Sequence, residues 1–324
     1  MKALYVSKKG GPEALEYGEL PDPLIEDPMD VIVRVRAAGM NRLDVMQRDG
    51  SHGATPPEYP FVTGREFSGD VVEVGSQVSR FKPGDRIYGS ATRCYAELTR
   101  VRLGGRIHQD AAEQMPEGLS YEEAAAIPTS ASMAFHMLHC DGKIRSDQDV
   151  LIMGGSSGTG VYGIQFAKAA GARVIATAGS DEKLEKAKSL GADEVINHRE
   201  IPEFSQRVLE LTDGQGVDLV FEHIGTPVWK NCWASLKRRG RLVICGVTAG
   251  HWVSLHLGQL WSREMSVIGS TNYPEEDFEG IDGMVQRGLL RGIVDSVFPL
   301  ENTGEAQERM KAGDFFGKIV LKVS

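Results

Sequence analysis

Asp149-Val150-Leu151-Ile152-Met153 is a short, continuous apolar run. A glycine-rich turn follows, Gly155-Ser156-Ser157-Gly158-Thr159-Gly160, and then Val161-Tyr162-Gly163-Ile164-Gln165-Phe166-Ala167-Lys168-Ala169 with helical spacing. The run reads as a strand covered on both faces. Glycines let the turn bend tightly and let a pyrophosphate approach the backbone. The helix that starts there offers free N–H groups and the positive end of its dipole. The spacing is G-x-x-G-x-G rather than G-x-G-x-x-G, so the strand–turn–helix context carries the reading more than the glycine count does.

Downstream, the same alternation repeats. Ala172–Thr177 is a strand, Asp181–Leu190 a charged helix stopped by Gly191, and Glu194–Ile196 a strand. Glu203–Thr212 is a helix, Val217–Phe221 a strand, Val228–Lys237 a helix, and Arg241–Cys245 and Met265–Gly269 are strands. Strands alternating with helices predict a doubly wound parallel sheet. Upstream the style differs. Met1–Val6, Asp30–Ala37, Gly69–Gly75 and Phe81–Tyr88 read as short strands between Gly and Pro turns, which predicts a compact barrel-like β domain. Phe298–Leu300 and Gly317–Val323 return to that style around a short helix. With 324 residues, two domains are expected: an α/β nucleotide domain over 128–270, inserted into a β domain split over 1–127 and 271–324.

Cofactor choice is read where the second strand of the α/β domain runs out, at Thr177-Ala178-Gly179-Ser180. An acidic residue there would hold ribose hydroxyls and repel a 2′-phosphate. Instead Ser180 can donate a hydrogen bond, Lys183 brings a positive charge, and His198 and Arg199 follow the third strand. Asp181 is read as a first-turn residue complementing the helix dipole. The expected cofactor is NADPH, held by Gly155, Ser156, Ser157, Gly158, Thr159, Gly160, Ser180, Lys183, His198 and Arg199.

A formal charge of −9 argues against a nucleic-acid partner. The longest apolar runs are strand-sized, so no membrane span is expected. The four cysteines (Cys94, Cys140, Cys232 and Cys245) form no C-x-x-C pair, which argues against a thiolate zinc lobe and fits the cytoplasm. His136-x-x-His139 has no third ligand near in sequence, so no metal site is expected. Arg100-Val101-Arg102-Leu103-Gly104-Gly105-Arg106 is read as an exposed basic loop or hairpin.

Several modest motifs occur in order: Gly11-Pro12-Glu13, Ala37-Ala38-Gly39-Met40-Asn41-Arg42-Leu43-Asp44, Gly64-Arg65-Glu66-Phe67-Ser68-Gly69, Lys82-Pro83-Gly84-Asp85-Arg86, Tyr95-Ala96-Glu97, Leu190-Gly191-Ala192-Asp193 and Gly317-Lys318-Ile319-Val320-Leu321. Together with the nucleotide turn they resemble, almost end to end, the medium-chain dehydrogenase/reductase superfamily in its zinc-free, quinone oxidoreductase-like (zeta-crystallin-like) branch. The resemblance implies a GroES-like β-barrel catalytic domain, a Rossmann domain, and a homodimer, with a tetramer as the alternative. It further implies that Gly246, Val247 and Thr248, Gly269, Ser270 and Thr271, and Lys318 line the cofactor. Similar zinc enzymes carry cysteine at Asn41, histidine at Arg65, and cysteine or histidine near Thr129; this chain offers no soft ligand at any of the three.

Without a Lewis acid, a conjugated acceptor is the expected substrate, because a quinone or enone spreads its developing charge onto a conjugated oxygen. Asn41 is the first catalytic candidate, as an amide donor to that oxygen. His52 is the second, as a proton donor where relatives tend to have tyrosine, with Tyr59 as its substitute. Arg65 is the third, to orient the substrate oxygen, with an ion pair to Glu66 as its competing role. The rival readings are a 2-enoyl-thioester reductase or alcohol dehydrogenase-like enzyme of the same family, and an NADPH-binding protein without turnover.

Overall fold

The computed structural model describes residues 1–51, 58–104, 110–271 and 274–323. The chain divides into two compact units, Met1–Thr129 with Pro274–Ser324, and Ser130–Tyr273.

The second unit is built on a six-stranded parallel sheet. Its order is Glu194–Asn197, Arg173–Ala178, Asp149–Ile152, Val217–Glu222, Leu236–Ile244, Ser266–Gly269. Val150, Leu151 and Ile152 are fully buried, as a strand covered on both faces must be. Helices Gly158–Ala169, Asp181–Ser189, Phe204–Leu211 and Thr226–Ala234 make the crossovers. The strand order reverses between Asp149–Ile152 and Val217–Glu222, and the glycine-rich turn leaves the carboxyl end of the first of these. That is the switch point where doubly wound sheets bind ligands.

One boundary differs from the sequence reading. The helix expected to reach Lys237 ends at Ala234, and the strand starts at Leu236. Lys237–Gly240 loops out of register between the pairs Val217↔Leu236 and Leu219↔Arg241. Its charges are held by ion pairs, Lys237 to Asp218 at 2.5 Å and Arg239 to Glu264 at 2.8 Å. The charged run between the expected helix and the expected strand is therefore a bulge on a strand.

The first unit pairs a seven-stranded mixed sheet with a three-stranded one. Asp30–Gly39 is its hub, pairing with Lys318–Lys322, Glu66–Val74 and Leu98–Arg102. Val31, Val33, Val35, Phe67, Ile87 and Leu321 form the core beneath it. The sequence reading passed over helix Glu275–Gln286, which buries Phe278, Ile281 and Val285 at helical spacing. Tyr88 packs edge-on to Phe278 and donates to Asp282 at 2.7 Å.

The basic stretch also has an account. Leu98–Arg102 is a strand, not a free loop, and its arginines face an acidic turn. Arg102 Nε donates to Asp30 Oδ1 at 2.7 Å, and Arg100 lies 2.5 Å from Glu26. Burial pushes the Asp30 carboxyl up. Arg102 and the N–H groups of Glu26 and Asp27 outweigh that and hold it below the usual range. Arg106 lies outside the described residues. Among those described, no helix is long and apolar enough to cross a membrane.

Candidate active site

In the second unit, Gly154 takes a left-handed φ of 58° and Ser157 caps the helix, its Oγ accepting from Gly160 N–H at 2.9 Å. Gly155 N–H donates to Thr177 O at 2.7 Å, tying the turn to the neighbouring strand. Ser156, Gly158 and Thr159 are only partly buried, so this face of the turn stays accessible.

The residues read for the 2′-phosphate gather at the ends of the Arg173–Ala178 and Glu194–Asn197 strands. Gly179 lies beneath the Arg199 side chain; a Cβ there would sit 2.8 Å from Nε. His198 N–H donates to Ala178 O at 3.1 Å. Burial pushes its imidazole down, and nearby Arg199 and Lys183 push it further. Asp181 points its Oδ1 to the Asn197 amide at 3.1 Å, so the one acid of this corner is engaged locally. Ser180 caps the following helix through its backbone.

The expected nicotinamide side is also assembled within this unit. Gly246 has φ 64°, and a Cβ on Gly246 or Gly269 would meet nothing within 4 Å. Thr248 donates to His223 O at 3.4 Å, and Val247 O accepts from Gly250 N–H. Ser270 is buried, and among the described residues its hydroxyl has no hydrogen-bond partner. Thr271 follows it, exposed. An accessible glycine turn, a cationic corner and an unsatisfied buried hydroxyl fit a dinucleotide.

In the first unit, the chain leaves the Asp30–Gly39 strand through Met40 and enters helix Arg42–Asp49 at Asn41. Asn41 N–H donates to Asp44 Oδ2 at 2.8 Å, and Tyr95 donates to the same oxygen at 2.7 Å. The Asn41 side chain is used at both ends. Nδ2 donates to Glu66 Oε1 at 2.8 Å, and Oδ1 accepts from Lys318 Nζ at 2.8 Å. Lys318 also donates to Met40 O and stands 2.6 Å from Glu66 Oε1, both side chains being buried. Thr129 N–H completes Glu66 by donating to Oε2 at 2.8 Å.

Glu66 thus has an ion-pair partner that the sequence did not suggest, Lys318. The strand turns Glu66 inward, while Arg65, the residue before it, lines a cavity of about 400 Å³ with Gln47, Phe61, Thr63, Thr92 and Arg93. His52 lies outside the described residues. Tyr59 is exposed, its ring 5.4 Å from that of Phe61. The sequence reading gave Glu66 no role beyond a possible partner for Arg65, and nothing local set it apart in a strand that also carries Asp70 and Glu73.

The donor set bears on a metal. Asn41 is engaged at both polar atoms, Arg65 is a cation, and Thr129 spends its N–H on Glu66. With an ammonium already on Glu66, these residues do not fit zinc, which takes thiolate, imidazole or carboxylate in a tetrahedron.

Residues 27–135 match the alcohol dehydrogenase GroES-like domain, and residues 158–287 match a domain described as zinc-binding dehydrogenase. The quinone oxidoreductase of Pseudomonas aeruginosa is 31% identical over 99% of both chains. That of Mus musculus is 29% identical over 99% of this chain and 97% of its own. Among solved structures, an NAD-dependent alcohol dehydrogenase is 35% identical with a TM-score of 0.92, covering 100% of both chains. The Escherichia coli quinone oxidoreductase complexed with NADPH is 28% identical with a TM-score of 0.88, again over 100% of both.

Proposed function

Since the chain belongs to the medium-chain dehydrogenase/reductase family, as a quinone oxidoreductase-like oxidoreductase, we propose that it uses NADPH, without zinc, to reduce a quinone or an α,β-unsaturated carbonyl. The observation that carries this reading is the buried Asn41–Glu66–Lys318 set, which offers hydrogen bonds and charge where the zinc relatives, by resemblance, offer soft ligands. A conjugated acceptor needs no more than a positioned donor for its oxygen.

The nicotinamide, when bound, supplies the hydride. The chain's residues do the rest. The turn Gly155–Gly160 receives the pyrophosphate on its free N–H groups. Ser180, Lys183, His198 and Arg199 take the 2′-phosphate. Gly246–Thr248 and Gly269–Thr271 line the nicotinamide. Lys318 and Glu66 hold the Asn41 amide so that its second N–H is left for the acceptor oxygen. A quinone then gains one hydride and one proton, the proton coming from water. An enone takes hydride at its β-carbon and a proton at its α-carbon, with His52 as the proposed donor.

The likeness to an NAD-dependent alcohol dehydrogenase supports a second reading, NADH with an alcohol–aldehyde pair. One panel separates them: oxidation of NADPH and NADH with a benzoquinone, an enone, an enoyl-CoA and an aldehyde, with and without chelator. Quinone or enone turnover with NADPH, insensitive to chelation, is expected. Aldehyde turnover lost on chelation would reject the proposal, and no turnover with any acceptor would favour a binding protein.

A further inference from the structure

His223 stands at the end of the Val217–Glu222 strand, and its imidazole lies against the glycine-rich turn. A Cβ on Gly154 would sit 3.0 Å from His223 Cε1, so the ring packs directly on that glycine. His223 Nε2 is 3.0 Å from Met153 O and 3.2 Å from Ser157 Oγ. A carbonyl oxygen only accepts, so Nε2 carries the proton. A protonated ring nitrogen has no lone pair to offer, so its one hydrogen is shared between the two oxygens and Ser157 Oγ accepts from it as well. Ser157 Oγ already accepts from Gly160 N–H at 2.9 Å. Both of its lone-pair directions are thus engaged, and its single O–H is left to donate outwards. Ser157 is only partly buried.

We propose that His223 is a positioning residue for the dinucleotide: by fixing the Ser157 hydroxyl as an obligate donor on the open face of the turn, it adds a charge-assisted hydrogen bond to the pyrophosphate. The inference rests on the dinucleotide reading above. It concerns the diphosphate alone, independent of the 2′-phosphate that selects NADPH. His223 also clips the Met153 end of one strand to the end of another, across the point where the sheet reverses.

The test measures dissociation constants for NADPH, by cofactor fluorescence, and for adenosine 2′-monophosphate, which has no pyrophosphate. Variants are Ser157→Ala, His223→Leu, His223→Gln (which keeps an N–H donor at similar reach) and the Ser157→Ala/His223→Leu double. A hydrogen bond to a charged group is worth about tenfold in affinity, so His223→Leu and Ser157→Ala should each weaken NADPH about that much. The double variant should be no weaker than Ser157→Ala, and His223→Gln should recover to within about twofold of the wild type. Binding of the monophosphate should not move. Wild-type NADPH affinity in His223→Leu, additive losses in the double variant, or an equal loss for the monophosphate would each overturn the proposal. If His223→Leu does not fold, His223→Asn, too short to reach Met153 O, replaces it. A wild-type protein that binds the monophosphate but no dinucleotide would overturn the dinucleotide reading itself.

Discussion

Asn41 is held by three groups and has one N–H left, and that economy makes it testable. Asn41→Ala should lower turnover about a hundredfold, as loss of an oxyanion donor does, with the NADPH dissociation constant changed little. Steady-state kinetics beside a fluorescence titration decide it; unchanged turnover with every acceptor would remove Asn41 from the chemistry. Lys318→Met should act on stability. It leaves the Glu66 carboxylate buried without its cation, which costs about 3–5 kcal/mol in chemical denaturation. His198 gives a pH signature. Burial, then Arg199 and Lys183, depress its folded pKa. Its contribution is therefore complete above the unfolded value of about 6.5 and is lost as pH falls through the lower folded value, because the unfolded chain takes the proton first. His198→Gln should flatten the fall in melting temperature between about pH 7 and about pH 5. An unchanged slope would show that His198 does not titrate with folding. Of these residues, Asn41 and Lys318 were legible only through motif order. Their meeting at Glu66 was not legible, because no local pattern brings together groups 277 positions apart.

At the scale of elements, the Ser266–Gly269 strand closes one side of the parallel sheet and, among the described residues, has a neighbour only in Leu236–Ile244. Beside it in sequence, helix Leu257–Ser262 buries none of its residues, and Trp252, Leu257 and Trp261 are 89%, 66% and 76% exposed. A bare strand edge preceded by exposed tryptophans is costly to leave in water. We expect a second copy to cover it, strand to strand about a twofold axis. Val267→Lys, on that strand, should convert the dimer to a monomer in light scattering; a wild-type monomer would reject the arrangement. The strand was legible as apolar and last in its sheet, and the whole alternation of the second unit was equally plain, since buried parallel strands are short apolar runs. Less legible were Lys237–Gly240, where ion pairs hold a bulge just past the expected helix, and Glu275–Gln286, whose apolar spacing was present in the sequence but masked by its many acids and glycines. Arg100 and Arg102, read as part of a loop or hairpin, gave no sign in sequence of the acidic turn they neutralise.

Taken whole, the molecule carries a net charge of −9 and holds an ammonium against its candidate catalytic Asn41. Metal analysis of the purified protein should find less than stoichiometric zinc, and chelators should leave quinone turnover unchanged. One tightly held zinc per chain, with activity lost on its removal, would overturn the assignment. The division of the chain has a further consequence, for its birth on the ribosome. All six strands of the Ser130–Tyr273 unit are contiguous in synthesis, so that unit can fold as soon as it emerges. The other unit is begun first and finished later. Glu66 is translated long before Lys318, and the hub strand Asp30–Gly39 waits for Lys318–Lys322 to pair with it. Through that interval the nascent chain displays a half-built sheet with an unneutralised acid at its centre, a natural client for chaperones.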